Sequence, residues 1–95
     1  MSVEIRIRVV FYGKVQGVGF RRQVKLKADA LHIKGFIRNC QSGSVESVLI
    51  GPASSIDLLL KDLQSTFEIT TIKKYEAPSH VIFNDCFEIL FYPSP

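Results

Sequence analysis

The stretch FYGKVQGVGFRRQV, from Phe11 to Val24, joins a strand pattern to a helix pattern through a loop that contains three glycines. Before the loop, apolar and mostly polar residues alternate with period two, which predicts a strand with one buried face. Its apolar positions are Val3, Ile5, Ile7, Val9 and Phe11. After the loop, apolar residues recur at helical spacing. They are Phe20, Val24, Ala28 and Leu31, and Gly35 is expected beyond the end of this helix.

A β-hairpin is predicted next. FIRNC (36–40) and VESVLI (45–50) have the composition of strands, and QSGS (41–44) between them is typical of a tight turn. Gly51 and Pro52 then interrupt the second strand.

A second helix and two more strands complete the pattern. Ser54 followed by Asp57 resembles a capping box, which predicts a helix start at this point. The buried stripe of this helix would be Ile56, Leu59, Leu60, Leu63 and Phe67. EITTIKKY (68–75) and FEILFY (87–92) indicate strands, and EAPSHVIFND (76–85) between them has no clear assignment.

The order β–α–β–β–α–β with an added terminal strand predicts the α+β, ferredoxin-like split-βαβ arrangement. Two helices would cover one face of an antiparallel sheet and bury both stripes. In this arrangement the first two strands run parallel and end at the same edge of the sheet. We therefore expect the loop Gly13–Phe20 and Asn39 to be neighbours.

Composition limits the class of protein. A chain of 95 residues, 46% hydrophobic and 22% charged, predicts one folded domain over residues 1–95. Glu4, Arg6 and Arg8 interrupt any apolar leader, and no run approaches ~18 apolar residues, so neither a signal peptide nor a membrane span is expected. Cys40 and Cys86 match no metal-ligand spacing. Reduced thiols in the cytoplasm are expected, with a single disulfide as the alternative.

The residues of the loop predict an anion-binding site. Gly17 and Gly19 allow backbone N–H groups to converge ahead of a helix N-terminus, and Arg21 adds a planar fork that can grip two oxygens. The P-loop pattern is absent, and the dinucleotide fingerprint would need glycine where Arg22 stands. The alternative is that the glycines only shape a turn and that both arginines are solvated.

Four segments resemble the acylphosphatase family in order and spacing: GKVQGVGFR (13–21), KGFIRN (34–39), GSVE (43–46) and GP (51–52). The resemblance covers nearly the whole chain. It implies a small cytoplasmic, monomeric hydrolase without metal or cofactor, which splits acyl phosphates into carboxylate and phosphate. It also implies that Arg21 binds the phosphate and that Asn39 orients the attacking water. The phosphate-binding backbone amides would be those of Val15, Gln16, Gly17, Val18, Gly19 and Phe20.

Two other functions remain open at this stage. Domains of this topology can bind RNA, but KGFIRN departs from the RNA-binding pattern at Ile37 and Arg38, and the net charge of +3 is scattered, so no nucleic-acid partner is expected. A non-catalytic phosphate-binding domain is the other alternative. Arg22 is expected to be solvated, and Glu46 to be a half-exposed strand charge. Ser42, where many family members carry Asp, is interpreted as a turn residue.

Overall fold

The computed structural model describes residues 3–77 and 86–94. Its helices and strands, in chain order, are β1 (Glu4–Gly13), α1 (Phe20–Ala30), β2 (Lys34–Cys40), β3 (Val45–Pro52), α2 (Ala53–Thr66), β4 (Ile69–Glu76) and β5 (Phe87–Ser94). The predicted order of elements is thereby confirmed. Of the segment 76–85 that the sequence left unassigned, residues 78–85 lie outside the described part of the chain.

The five strands form one sheet in the order β4–β1–β3–β2–β5. β1 pairs antiparallel with β3 and β4, and β2 pairs antiparallel with β3. β5 pairs parallel with β2. The sheet is therefore mixed: the antiparallel arrangement predicted from the sequence holds for β1 to β4, and β5 departs from it.

Both helices pack on one face of the sheet, as the two apolar stripes predict. On β1, Val9 and Phe11 are fully buried in this layer, and Ile37 of β2 and Leu49 of β3 join them. The helices contribute a larger set of core residues: Phe20, Val24, Ala28, Ile56, Leu59, Leu60 and Leu63. Burial of two apolar stripes against one sheet face stabilises the fold by the hydrophobic effect.

The ends of the helices differ from the sequence expectation in one respect. α2 begins at Ala53, directly after Pro52, so Ser54 lies inside the first turn and the predicted capping box is wrong. Proline suits a helix start for two reasons. Its φ is fixed near the helical value, here −60°, and its missing N–H is not needed in the first turn of a helix. α1 ends at Ala30, and the left-handed His32 (φ 57°) lets the Ile33 amide donate to the carbonyl of Ala28 at 2.8 Å.

Gly35 lies beyond α1, as expected, but its role is in the sheet. It has φ 131° within β2, and a Cβ at this position would lie 1.9 Å from the carbonyl oxygen of Val48. Only glycine lets β2 approach β3 this closely.

β1 and β2 both run antiparallel to β3 and are therefore parallel to each other. Their C-terminal ends, Gly13 and Cys40, consequently emerge at the same edge of the sheet. This edge carries the features described below. Within the described residues, no helix combines the length and the apolar character that crossing a bilayer requires.

Candidate active site

The loop between β1 and α1 is fixed at both ends by buried side chains. Val15 and Phe20 are each 1% exposed. The Phe20 ring meets the rings of Phe11 and Phe67 edge to face, with centroids 5.0 and 4.9 Å apart. Between the two anchors, residues 17–19 are exposed to solvent. The core thus holds the base of the loop and leaves its main chain accessible.

The Gln16 side chain fastens the loop to the β2–β3 hairpin. Its Nε2 donates hydrogen bonds to the carbonyl oxygens of Cys40 and Ser44, both at 2.8 Å. These bonds bring the loop to the end of β2, so the predicted proximity of the loop and Asn39 is confirmed. The sequence analysis considered only the backbone amide of Gln16 and missed this side-chain role.

The loop main chain is shaped to receive an anion. Gly17 and Gly19 have φ values of 73° and 76°, in the left-handed region, and Gly19 is the N-cap of α1. The Val15 amide donates to the Gly13 carbonyl at 3.1 Å. In contrast, the amides of residues 16–20 donate to no backbone carbonyl in the described parts of the chain. Unpaired N–H groups ahead of a helix, together with its dipole, attract negative charge.

Arg21 is half-buried in the first turn of α1, and its guanidinium is held by β5. Nη1 donates to the carbonyl oxygen of Leu90 at 3.3 Å, and Cζ lies 5.3 Å from the centroid of the Phe91 ring. Within residues 3–77 and 86–94, no carboxylate lies at ion-pair distance from Arg21. Its positive charge is therefore positioned but not neutralised by this part of the chain.

The side-chain oxygen of Asn39, near the end of β2, has no hydrogen-bond donor in the described part of the chain. This atom, Oδ1, is buried and accepts no hydrogen bond from residues 3–77 or 86–94. An unsatisfied buried polar atom costs about 1–3 kcal/mol, and buried polar atoms in native proteins are usually paired. The side-chain Oδ1 of Asn39 is thus available to accept a hydrogen bond from a donor such as a bound water.

These features line one cleft of about 410 Å³. Of the predicted site residues, the cleft is lined by Val15, Gly17, Gly19, Phe20, Arg21 and Asn39. Gln16 and Val18 are part of the same loop but are not in the lining. Arg22 is exposed, as expected, and nevertheless lies on the wall of the cleft.

Ile89 and Phe91 complete the lining and were missed by the sequence analysis. The signal was present in FEILFY, where Phe87, Ile89 and Phe91 recur with period two. The pairing of this strand beside β2 could not be deduced from that pattern, because the pattern does not indicate which neighbour a strand has.

A second polar cluster lies on the opposite face of the sheet. Glu46 accepts hydrogen bonds from Nε of Arg8 at 2.5 Å and from Nε of Arg38 at 2.7 Å. Glu46 is 5% exposed, so the prediction of a half-exposed charge is wrong. Burial alone would raise the pKa of this carboxyl, but the hydrogen bonds and charges of the two arginines outweigh it and lower the pKa. Every charge of this cluster has a partner.

The described residues contain no group of three or more His, Cys, Asp or Glu side chains placed to hold a metal ion. Cys40 is half-buried, Cys86 is exposed, and both are free thiols.

Known proteins share both the sequence pattern and the fold. The family model described as Acylphosphatase matches residues 7–89. The chain is 41% identical over 78 residues to an acylphosphatase of Burkholderia thailandensis, covering 79% of this chain and 76% of the other. It is 39% identical over 69 residues to an acylphosphatase of Thermoplasma volcanium, covering 73% and 77%. The crystal structure of acylphosphatase from Bacillus subtilis superimposes with a TM-score of 0.79 at 28% identity, covering 93% of this chain and 99% of the other. The chain belongs to the acylphosphatase family.

Proposed function

We propose that this protein hydrolyses acyl phosphates in the cleft at the loop–α1 edge of the sheet, with Arg21 and Asn39 as the catalytic side chains. One observation carries the proposal. Within the described parts of the chain, backbone amides without a carbonyl partner, a guanidinium without a carboxylate partner and an unsatisfied amide oxygen line the same cleft. Each of these groups lacks what a phosphoryl group and an attacking water would supply.

The phosphoryl end of the substrate occupies the loop. Its oxygens accept hydrogen bonds from the backbone amides of residues 16–20 and from the remaining donors of Arg21. The Leu90 carbonyl occupies one of the five N–H donors of the guanidinium, so a two-pronged grip remains available. The Val15 amide already bonds Gly13, so its contribution would require this bond to open.

Asn39 orients the nucleophile. Its Oδ1 accepts a hydrogen bond from a water molecule and directs one lone pair of that water toward phosphorus. The asparagine amide does not act as a base near neutral pH, so its role is orientation. A water held here fills the vacant acceptor that the cleft leaves at this position.

The reaction needs little acid–base assistance. A P–O bond forms from water, and the bond from phosphorus to the acyl oxygen breaks with its electron pair leaving on the carboxylate. Carboxylic acids have a pKa of about 4, so the carboxylate leaves without prior protonation. The water proton passes to a phosphate oxygen. Charge in the loose transition state lies on the equatorial oxygens, where the amides and Arg21 stabilise it.

We further propose that residues 1–95 act as one monomeric domain in the cytoplasm on a small-molecule substrate, without nucleic acid. One core cluster beneath one sheet supports a single domain. The two free thiols, one of them exposed, are consistent with a reducing compartment.

Hydrolysis of benzoyl phosphate in ¹⁸O-labelled water tests the proposal. We expect turnover that persists in excess chelator, with the label in inorganic phosphate. Phenyl phosphate serves as the control, and it should react far more slowly because phenolate is a poorer leaving group. Absence of turnover, or label in benzoate, would contradict attack of an oriented water on phosphorus.

A further inference from the structure

The cleft has an apolar wall that phosphate binding does not explain. Ile89 and Phe91 lie on the same side of β5, two residues apart, and both line the cleft beside Arg21 and Asn39. Ile89 pairs with Ile37 across the parallel β2–β5 ladder and packs against the core. Phe91, further along the same strand, is 78% exposed.

Phe91 is far more exposed than the other aromatic residues in the described part of the chain. Among the described large hydrophobic residues it is the most exposed, and its ring lies at the cleft rather than in the core. The position of the ring is also constrained. The Arg21 guanidinium lies 5.3 Å from the ring centroid, and it bonds the carbonyl of the preceding residue, Leu90. The ring and the phosphate-gripping side chain are therefore held in a defined mutual position.

The size of the cleft leaves room for more than a phosphoryl group. About 410 Å³ lies within the range of pockets that hold whole small molecules, about 300–1,000 Å³. The amides and Arg21 account for the phosphate end. An acyl group bonded to that phosphate must extend from the polar loop along the remaining wall, where Ile89 and Phe91 present apolar surface.

We propose that Phe91 and Ile89 form an acyl-group subsite that favours apolar, and above all aromatic, acyl phosphates. This inference rests on the proposed hydrolysis of acyl phosphates. An aromatic acyl group would stack offset or edge to face against the Phe91 ring, and would shield both rings from water. A two-carbon acyl group is too small to cover the same surface. Phe91 thus acts as a specificity-determining residue in the reaction for which Arg21 and Asn39 are the catalytic residues.

The test compares the kcat/KM of benzoyl phosphate with that of acetyl phosphate in the wild type and in variants of Phe91. Taking the ratio of the two substrates cancels any common effect that Phe91 has through the position of Arg21. In Phe91→Ala the benzoyl-to-acetyl ratio should fall about tenfold, mainly through the KM for benzoyl phosphate, because the apolar surface that the aryl group covers is removed. Phe91→Leu should keep most of the wild-type ratio.

Two further variants control the experiment. Phe91→Gln keeps the length of the side chain without an apolar ring and should reproduce the loss seen with alanine. Leu58→Ala removes an exposed apolar side chain from α2, outside the cleft, and should leave the ratio unchanged. Because Phe91 is mostly exposed, its variants are expected to fold. Circular dichroism of each variant checks this.

The possible failures are distinguishable. If the wild type hydrolyses both substrates and the benzoyl-to-acetyl ratio in both Phe91→Ala and Phe91→Gln equals that of the wild type, the acyl subsite is wrong and the proposed hydrolase function stands. If the wild type hydrolyses neither substrate, the proposed function itself is wrong.

Discussion

Two polar clusters lie on opposite sides of the same sheet, and they differ in whether their groups are paired. In the cluster of Arg8, Glu46 and Arg38, the central carboxylate receives a hydrogen bond from each arginine. In the cleft, the Asn39 Oδ1 is buried without a partner, and Arg21 has no carboxylate partner in the described chain. The first cluster is complete without a ligand, and the second is not.

The difference separates a structural role from a catalytic one. A buried polar group without a partner destabilises the folded protein, so a ligand that supplies the partner gains the same free energy on binding. A fully paired cluster offers no such gain. We therefore expect substitutions of the Arg21 and Asn39 side chains to lower activity with little effect on stability, and substitutions at Glu46 to do the reverse.

Arg21→Ala should have the largest effect on activity. Removing the guanidinium leaves charge on the transferring phosphoryl group unsatisfied, and kcat/KM for benzoyl phosphate should fall about 10³-fold or more. Thermal unfolding should shift little, since Arg21 donates only one weak hydrogen bond within the described chain. Arg21→Lys should restore little activity, because a point charge lacks the planar fork. Wild-type activity in the lysine variant would show that only charge is needed.

Asn39→Ala should lower kcat about 10²-fold and change KM little, because orientation of the water matters in the transition state and not in substrate binding. The unfolding free energy should stay equal or rise, since the variant removes an unsatisfied buried oxygen. Steady-state kinetics and urea denaturation measure the two quantities. A large rise in KM with unchanged kcat would instead place Asn39 in substrate binding.

Glu46→Gln should lower stability and leave activity nearly unchanged, in contrast to the variants of Arg21 and Asn39. Loss of the central carboxylate leaves two neighbouring arginines without their counter-charge, and the unfolding free energy should fall by about 2–3 kcal/mol. This is less than for a fully buried pair because both arginine side chains are about one-third exposed, at 34% and 28%. The folded fraction should retain near-wild-type kcat/KM. A loss of activity without a loss of stability would connect this cluster to the reaction.

Glu46 should also make the unfolding free energy depend on pH in acid. Folding lowers the pKa of Glu46, because the two arginines outweigh the effect of burial, so the unfolded state binds this proton more tightly. The stabilisation is complete above the ordinary glutamate pKa of about 4.3 and is lost as the pH falls through the lowered folded value. In urea denaturation below pH 5, the wild type should therefore lose more stability than Glu46→Gln. Parallel losses in both proteins would assign the acid sensitivity to other groups.

Alanine substitutions of Gly19 and Gly43 should have the smallest effects, and the two positions form a matched pair. Gly19 (φ 76°) and Gly43 (φ 95°) are both left-handed, and a Cβ at either position would meet no atom within 4 Å. Alanine at either should cost about 1–2 kcal/mol of stability through backbone strain alone. Only Gly19→Ala should also lower kcat/KM, because Gly19 lines the cleft. Equal activity losses in the two variants would indicate a general effect of strain.

Much of this arrangement could be predicted from the sequence because local patterns determine it. The period-two alternation before Gly13 and the helical stripe from Phe20 correspond to β1 and α1, and the order of elements implies that β1 and β2 end at one edge. That topology alone predicts that the loop lies beside Asn39.

The remaining features depend on contacts between residues distant in sequence. The burial of Glu46 requires arginines from β1 and β2, and the position of Phe91 requires β5 to pair with β2. The local pattern of β3 does not indicate that arginines surround Glu46, and the local pattern of β5 does not indicate that it pairs with β2. The capping box was misassigned for a related reason, since Pro52 supplies the N-cap of the helix two residues earlier than Ser54 would.

Calorimetric titration with inorganic phosphate tests most directly whether the incomplete cluster is the phosphate site. The wild type and Asn39→Ala should bind phosphate with similar affinity, Glu46→Gln should match them under conditions where it is folded, and Arg21→Ala should show no measurable binding. Phosphate binding by Arg21→Ala with wild-type affinity would contradict the assignment of the cleft.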